Sequence, residues 1–276
     1  MDFIWHDPKA PKMAVHEAPG SVVWLSFPAL DAVPWLTNAY STRLGGVSHG
    51  DVAAMNFRHT GESDLENIRR NFQIIAEAAG FPFEGIIRSQ QTHTTNVLKV
   101  TRANRGDGVV RDLPWTDVDG FITNEPGCVL ATFYADCVPL YFVDPVHRAI
   151  GLSHSGWRGT AAGMGRVTLE AMAREYGTDP ADVIAAIGPS ISQANYEVSQ
   201  EVAEAFDPAF SYRKENGKYQ LDLWAANKAI MVAAGVREEN ISLSNLCTFE
   251  NHDLLHSHRA TGGRRGTNGA FLAIKE

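Results

Sequence analysis

Residues 136–154 read DCVPLYFVDPVHRAIGLSH, and this stretch decides the fold prediction. Two apolar runs of strand character flank an Asp-Pro dipeptide, which favours a turn. We therefore predict an antiparallel hairpin whose turn closes between Val143 and Arg148. In that register Cys137 lies directly opposite His154 on the neighbouring strand.

The predicted pairing brings two chemically active side chains together. Directly opposed residues on antiparallel strands hold their Cβ atoms ~4.5–5.5 Å apart. At this separation the thiolate of Cys137 and the imidazole of His154 can both reach one zinc ion, at ~2.3 and ~2.0 Å. The same pair also suits a nucleophile and its general base. Both interpretations depend on register, because a slip of one residue would send the two side chains to opposite faces.

Composition excludes several classes of protein. The 276 residues carry a net charge of −8, with 44% hydrophobic and 20% charged residues, which is ordinary for a globular chain with a sizeable core. The negative charge argues against a nucleic-acid binder and against an anionic-membrane binder. The chain has three cysteines, no signal-peptide pattern and no apolar run of about 18 residues. We therefore expect a soluble, cytoplasmic protein with reduced thiols.

The rest of the chain mixes strand and helix patterns. A capping box at 63–66 opens a helix with Leu65 on its apolar face, and Gly80 ends that helix. Further helices are predicted from about 160 to 176 and from 223 to 234, and a polar surface excursion at 211–220. The predicted strands lie at 21–27, 86–90, 96–100, 121–124, 128–134, 183–188, 241–246 and 270–274. Because hairpins alternate with strand–helix units, we predict a mixed α/β fold with partly antiparallel sheets, in one domain over residues 1–276.

Two glycine-rich turns are candidate anion sites. Arg43 precedes Gly45 and Gly46, and adjacent glycines let backbone N–H groups approach an anion closely. A surface turn with a solvated arginine is the plainer interpretation of that segment. Residues 156–159 form a second turn, which opens a helix and contains Arg158, whose fork of donors suits phosphate.

Two other segments carry polar candidates. His93 follows the predicted strand at 86–90 and so lies at a strand junction, where a rigid element holds a side chain against a cleft. A single histidine there is more often structural, unless other ligands converge on it. Asp117 and Asp119 precede the next strand, where their alternate spacing suits an acid–base role, a sugar-hydroxyl contact or a simple turn cap.

Several motifs together match a known family. They are STRLGGVS at 41–48, QTH at 91–93, DVDG at 117–120, ADCVP at 135–139 and SHSGWRG at 153–159, with GPSI at 188–191 and CT at 247–248. The chain thereby resembles bacterial proteins once called multicopper polyphenol oxidases or laccase-domain proteins. They are also named peptidoglycan editing factors, and are now regarded as purine nucleoside phosphorylases. The resemblance extends over most of the chain, from about residue 38 to residue 274.

The resemblance implies a metal site and a fold. The family places a metal, usually zinc and alternatively copper, on residues that map to His93, Cys137 and His154. Three protein ligands leave a fourth position for water or substrate, which is typical of a catalytic site. The implied fold is a single-domain sandwich of mixed β-sheets flanked by helices, similar to a group of cysteine hydrolases.

The resemblance also implies an activity. It is zinc-dependent phosphorolysis of purine nucleosides such as adenosine, inosine and methylthioadenosine, giving the free base and ribose 1-phosphate, with adenosine deamination by a metal-activated water as a further activity. The catalytic candidates are Arg43, Asn56, Gln91, Asp136 and Arg158, and the phosphate-binding candidates are Arg43, Gly156, Arg158 and Gly159. The expected partners are a nucleoside and phosphate, without nucleic acid or membrane, and the expected assembly is a monomer or homodimer.

The C-terminal segment departs from the family pattern. The family tends toward a double arginine after Ser-Tyr or Ser-His, whereas this chain reads Ser257-His258-Arg259-Ala260. We therefore expect Arg259, rather than Arg264 or Arg265, to be the substrate contact in this segment.

Three rival functions remain. A multicopper oxidase needs many paired histidines, whereas this chain has ten histidines and one His-x-His, so the oxidase is disfavoured. A thiol hydrolase would use Cys137 as nucleophile and His154 as base, with Asp136 or Asp119 orienting the imidazole. A cell-wall-related editing or binding factor would bind a ligand without turnover.

Overall fold

Fifteen strands and seven α-helices are formed by residues 2–276, the part of the chain that the computed structural model describes. The strands are β1 (Ala14–Ala18), β2 (Val22–Ser26), β3 (Leu36–Ser41), β4 (Ile86–Arg88), β5 (Val97–Lys99), β6 (Gly120–Thr123), β7 (Val129–Tyr134), β8 (Val138–Asp144), β9 (Ala149–Ser155), β10 (Ile184–Ile187), β11 (Glu197–Val198), β12 (Ser211–Arg213), β13 (Tyr219–Leu221), β14 (Ile241–Leu243) and β15 (Asn268–Ile274). The helices are α1 (Pro28–Asp31), α2 (Leu65–Ala79), α3 (Trp157–Ala161), α4 (Met164–Tyr176), α5 (Gln200–Ala203), α6 (Leu223–Ala233) and α7 (His258–Thr261).

Two six-stranded sheets and one small sheet organise these strands. The first has the order β1-β2-β3-β15-β7-β4, the second β14-β10-β8-β9-β6-β5, and the small sheet β11-β13-β12. Most neighbours are antiparallel, but β4 runs parallel to β7, β5 to β6, and β10 to β14. The predicted mixed α/β fold with partly antiparallel sheets is therefore confirmed. No helix among residues 2–276 has the length and apolar character needed to cross a membrane.

The two large sheets pack face to face, with helices on their outer faces. The core between them joins Tyr40 and Leu272 of the first sheet to Tyr141 and Leu152 of the second. The outer face of the second sheet is covered by α4 and α6, and that of the first by α2. Because both faces of β8 are covered, all seven of its residues are buried, which explains why this strand reads as a continuous apolar run.

The central hairpin forms as predicted, but its register is shifted by two residues. His154 lies opposite Pro139 rather than opposite Cys137, and Asp144 lies opposite Ala149. The turn has the predicted length but lies one residue further along the chain, at 145–148. There the Asp144 carboxylate accepts the backbone N–H groups of Val146 and His147, and Arg148 takes a left-handed φ of +49°. The predicted direct opposition of Cys137 and His154 is therefore wrong.

Helix α2 ends at Gly80 as predicted, but its N-cap is Asp64 rather than the Ser63 of the predicted capping box, and one apolar position also differs. The carboxylate of Asp64 accepts the backbone N–H of Glu66, and Gly80 ends the helix with a φ of +73°. Ile68 and Phe72 are buried, whereas Leu65 is 61% exposed. Leu65 is the first residue of the helix and lies beyond the edge of the core that its neighbours fill.

Two other predictions need correction. The helix predicted over 160–176 is divided into α3 and α4 by Gly163, whose φ of +79° interrupts the helical backbone. The segment 211–220 lies at the surface as predicted, with only Gln220 buried, but its ends pair as β12 and β13 in the small sheet.

Candidate metal centre and active site

Three side chains converge at one end of the second sheet. His93 lies in the loop between β4 and β5, Cys137 immediately precedes β8, and His154 lies in β9. One nitrogen or sulfur atom of each lies within 4.8 Å of the others, and Cys137 Sγ is 3.9 Å from His93 Nε2. This is the only group of three or more histidine, cysteine or acidic residues with metal-ligand proximity among residues 2–276.

The two-residue register shift does not separate Cys137 from His154. Side chains alternate between the faces of a sheet with a period of two, so a shift of two residues leaves both on the same face. Cys137 becomes a diagonal neighbour of His154 instead of its direct partner. Diagonal neighbours remain within reach of long side chains. The hairpin therefore brings the two together although its predicted register was wrong.

Asp119 fixes the orientation of His154. His154 Nδ1 donates to Asp119 Oδ1 at 2.7 Å, and the carboxylate is fully buried. This hydrogen bond engages Nδ1, so Nε2 is the ring nitrogen left to face the cluster, where it can bind a metal once it has lost its proton. A carboxylate behind a histidine in this way is the usual second partner of a metal-binding imidazole.

The same carboxylate shapes the loop that carries His93. Asp119 accepts the backbone N–H groups of Thr92, His93 and Thr94, at 3.0–3.1 Å. His93 itself has a φ of +67°, a conformation that costs a non-glycine residue about 1–2 kcal/mol. One buried carboxylate therefore positions two of the three clustered side chains.

The charges in the cluster are coupled. Burial opposes ionisation of Asp119, but the hydrogen bond and charge of His154 outweigh it and bring the carboxyl pKa to about 2. Burial would raise the pKa of Cys137, but the two imidazoles lower it to about 6. Burial would lower the pKa of His154, but Cys137 and Asp119 raise it to about 9. The arrangement thus favours a thiolate at neutral pH, which is the form of cysteine that binds metals and attacks electrophiles.

The cluster fits a bound metal ion. Nitrogen and thiolate donors suit zinc and also copper. Gly156 lies against the cluster, and a Cβ at this position would be 2.8 Å from His93 Cδ2 and 3.1 Å from Cys137 Sγ. The glycine therefore leaves room for the two side chains to converge. Its φ of −73° is open to any residue, so the requirement for glycine there is steric.

Two cavities flank the cluster, and both are lined by His93 and Cys137. The larger has a volume of about 240 Å³. It is lined by Phe57, Arg58, Arg88, Ser89, Gln90, Gln91, His93, Phe133, Ala135, Cys137, His154, Arg265 and Thr267. The smaller has a volume of about 100 Å³. It is lined by His93, Asp136, Cys137, Trp157, Arg158, Tyr196 and Leu223.

Of the predicted catalytic residues, Gln91, Asp136 and Arg158 line a cavity. The Gln91 amide bonds both the N–H and the carbonyl of Phe133, at 2.7 Å each. The Asp136 carboxylate accepts from the hydroxyls of Thr248 and Ser257 and from the backbone N–H of Arg259.

Arg158 and the turn that carries it lie beside the smaller cavity. The Arg158 guanidinium carbon is 4.3 Å from the centre of the Trp157 ring. Gly156 precedes α3 and packs against the cluster. A Cβ at Gly159 would have no heavy atom closer than 3.5 Å.

Arg43 and Asn56 line neither cavity. Arg43 donates to the backbone carbonyls of Ala53 and His252, at 3.0 and 2.9 Å. The neighbouring glycines pack against backbone, since a Cβ at Gly46 would lie 2.3 Å from the Ala54 carbonyl oxygen. Arg43 is therefore half-buried and bonded to backbone, which differs from the solvated arginine of the plainer interpretation.

Asn56 is fully buried behind the wall of the larger cavity. Its carbonyl oxygen accepts the backbone N–H groups of Arg58 and Thr267, at 2.9 and 3.2 Å. Asn56 therefore holds two cavity-lining segments together from behind.

Sequence reasoning missed two of the three arginines of the larger cavity and misjudged the third. Arg58 and Arg88 were not singled out, and Arg265 was set aside in favour of Arg259, which does not line this cavity. The one available signal was Arg88, a charged residue that ends the otherwise apolar strand β4. Asp119 is one of the predicted acidic candidates. Its hydrogen bonds to the backbone N–H groups of residues 92–94 join segments far apart in sequence, so the sequence pattern does not predict them.

Comparisons with known proteins identify the family of this chain. Residues 37–275 match the family described as multi-copper polyphenol oxidoreductase laccase. A Bacteroides thetaiotaomicron protein named purine nucleoside phosphorylase is 38% identical over 250 residues, which cover 88% of this chain and 93% of that protein. Purine nucleoside phosphorylase YlmD of Bacillus subtilis is 36% identical over 245 residues, covering 86% and 88%.

A solved structure has the same fold. The crystal structure of YlmD from Geobacillus stearothermophilus superposes with a TM-score of 0.88 at 33% identity, covering 96% of this chain and 100% of that one. The family resemblance expected from the sequence motifs is thereby confirmed. This chain belongs to the multi-copper polyphenol oxidoreductase laccase family, several of whose members are named purine nucleoside phosphorylases.

Proposed function

We propose that this protein is a zinc-dependent purine nucleoside phosphorylase, with the metal held by His93, Cys137 and His154. The observation that carries the proposal is the convergence of these three side chains around an imidazole already oriented by Asp119. The names of the relatives supply the reaction class. Zinc, when bound, would supply a Lewis acid with one coordination position open to substrate or water.

In the proposed reaction, an oxygen of phosphate bonds to the anomeric carbon of the ribose. The bond from that carbon to the purine nitrogen breaks, and its electron pair leaves with the base, which takes up a proton. The products are the free base and ribose 1-phosphate. Because glycosyl transfer passes through an oxocarbenium-like state, the protein must hold the anion close to the ribose and donate a hydrogen bond to the leaving base.

We assign the predicted residues two kinds of role. Arg158 and Asp136 line the smaller cavity and are proposed to contact the nucleoside there. Gln91 and Asn56 form most of their hydrogen bonds with backbone groups. We therefore propose that they are positioning residues that shape the larger cavity. Arg43 is proposed to hold the segment around Ala53 in place. The three cysteines are free, which favours a reducing compartment such as the cytoplasm.

The test of this function is chromatography of adenosine and inosine after incubation with zinc-loaded protein, with and without phosphate. We expect phosphate-dependent release of free base, and its loss in a His93→Ala variant. Inosine formed from adenosine without phosphate would show deamination as the principal activity instead. No turnover of either nucleoside would refute the phosphorylase. Metal analysis of the purified protein distinguishes zinc from copper as the resident ion.

A metal-free thiol hydrolase is the second candidate, because the same geometry forms a Cys137–His154–Asp119 chain. The lowered pKa of Cys137 favours the attacking thiolate. Alkylation with iodoacetamide discriminates the two functions. A zinc-bound thiolate should be protected until a chelator is added. Rapid alkylation that zinc does not slow would favour the hydrolase.

A further inference from the structure

Three arginines line the larger cavity, and no carboxylate lines it with them. Arg58, Arg88 and Arg265 come from separate segments of the chain and meet in the wall of this cavity. None of its lining residues is an aspartate or glutamate. Among residues 2–276, none of the three arginines forms a salt bridge, although eight other lysines and arginines do. We call these three residues the arginine wall.

The arginine wall has unused hydrogen-bond donors. Nε of Arg88 and Nε of Arg265 are buried and have no partner in the described part of the chain. Arg58 Nη1 donates to the carbonyl of Arg265 at 3.3 Å, which brings these two guanidinium-bearing residues together. Burial lowers the pKa of Arg88, and burial together with the charge of Arg58 lowers that of Arg265.

Such an arrangement is unfavourable in isolation. A buried polar group without a partner costs free energy, and removing unpaired charges from water costs more. Because arginine remains protonated at neutral pH, this cost persists in the folded protein. An anion bound between the three guanidinium groups would supply both the missing acceptors and the missing charge. Phosphate suits them well, because its oxygens match the planar fork of arginine donors.

We propose that the arginine wall of Arg58, Arg88 and Arg265 binds the phosphate co-substrate. The identification of the anion as a co-substrate rests on the proposed phosphorylase function, whereas anion binding itself does not. The wall lines the same cavity as His93, Cys137 and His154, so phosphate bound there lies on the larger-cavity side of the cluster. The nucleoside is then left to approach from the side of the smaller cavity, where Arg158 and Trp157 lie.

The rival location is the turn at 156–159, which the sequence favoured. There Gly156 is packed against His93 and Cys137, and the Arg158 guanidinium lies over the Trp157 ring. The following helix α3 has only five residues. The turn therefore offers one arginine, whereas the wall offers three that form no salt bridge with a carboxylate, although Arg88 likewise lies over an aromatic ring, that of Phe133.

The test is calorimetric titration of inorganic phosphate into zinc-loaded protein without nucleoside. We expect phosphate affinity to fall about tenfold or more in Arg88→Gln and in Arg265→Gln, because each removes charge-assisted hydrogen bonds. Arg264→Gln is the matched control, since Arg264 is the exposed neighbour of Arg265 and lies outside the cavity. Far-UV circular dichroism and zinc content establish that each variant is folded and loaded. If Arg88→Gln does not fold, Arg265→Gln carries the test alone.

The outcomes separate this proposal from the proposed function. Weakened phosphate binding in the wall variants, with Arg264→Gln unchanged, supports the wall, even if no nucleoside is turned over. Unchanged binding in folded wall variants overturns it, and so does a loss confined to Arg158→Gln. The wall is also overturned if the wild-type protein turns over nucleosides and the phosphate KM of Arg88→Gln and of Arg265→Gln equals that of the wild type. The phosphorylase function then stands.

Discussion

Asp119 and His154 form the hydrogen bond on which the rest of the site depends, with Oδ1 of the carboxylate 2.7 Å from Nδ1 of the imidazole. Both residues are buried, and the carboxylate also accepts the three consecutive N–H groups that shape the His93 loop. Its position thus links a strand of the second sheet to a loop that precedes β5. The geometry of the three proposed metal ligands is therefore set by a residue outside that group.

Replacing Asp119 with asparagine should weaken metal binding about 10–100-fold, the usual effect of removing a carboxylate behind a ligand histidine. Asparagine has the size of aspartate but lacks its negative charge, which stabilises the His154 N–H and the three backbone N–H groups of the His93 loop. Zinc affinity is measured by competition with a chromophoric chelator. Asp117→Asn is the control, because Asp117 is exposed and its left-handed φ of +56° suits asparagine. Equal zinc affinity in the two variants would contradict this role.

The hairpin shows what can be predicted from apolar patterning and what cannot. The period of two placed Cys137 and His154 on one face, and a shift of two residues preserves that result. The register itself depends on a turn in which Asp144 accepts backbone N–H groups and Arg148 takes a left-handed conformation. Such a turn is one of several that an Asp-Pro sequence allows, so the closing pair could not be chosen in advance.

The arginine wall marks the limit of sequence reasoning at this site. Arg58, Arg88 and Arg265 lie in three segments that only the folded chain brings to one cavity. Arg58 and Arg265 look like ordinary surface arginines in their own segments, and only Arg88 differs, because it ends the otherwise apolar strand β4. The family motifs predicted His93, Cys137 and His154, which the structure brings together, because those residues lie within short, distinctive runs. No comparable run surrounds the arginines.

Replacing Gly156 with alanine should reduce zinc affinity more than about tenfold while leaving the fold intact. The new Cβ would lie 2.8 Å from His93 Cδ2, so the imidazole must move by several tenths of an ångström, more than the tolerance of zinc–ligand distances. The measurement is the zinc content after dialysis against a buffered zinc solution. Gly159→Ala is the matched control, because its Cβ would make only ordinary contacts from 3.5 Å. Full zinc occupancy in Gly156→Ala would refute the steric argument.

Zinc should stabilise the folded protein against heat. A ligand at about 100 times its Kd adds about 2.7 kcal/mol of unfolding free energy, which corresponds to a rise in Tm of about 5–10 °C for a chain of this size. Differential scanning calorimetry with zinc and with a chelator measures this difference. His93→Ala should remove it, whereas His49→Ala, which deletes an exposed histidine, should retain it. A zinc-dependent shift that persists in His93→Ala would place the metal elsewhere.

His256 provides a separate test of the structure through pH. Its side chain is buried, Nε2 donates to the carbonyl of Met55 at 2.9 Å, and Nδ1 has no partner among the described residues. Burial lowers the pKa of His256 to about 3, and the hydrogen bond to Met55 only partly opposes this effect. The imidazole is therefore neutral in the folded protein throughout the range in which an unfolded histidine, with a pKa of about 6.5, becomes charged.

The sign of the pH effect follows from this difference. Above about pH 6.5 the imidazole of His256 is neutral in both the folded and the unfolded chain and contributes nothing to the pH dependence. Between about pH 6.5 and pH 3 only the unfolded chain binds the proton, so the free energy of unfolding falls as the pH falls. The expected loss is about 1.4 kcal/mol per pH unit, or about 2 kcal/mol at pH 5. His256→Gln keeps a donor for Met55 but does not titrate, so urea unfolding at pH 7 and pH 5 should show a smaller loss in this variant. His252→Gln, at an exposed position, should lose as much stability as the wild type. Equal losses in His256→Gln and the wild type would show that His256 can take up a proton without unfolding.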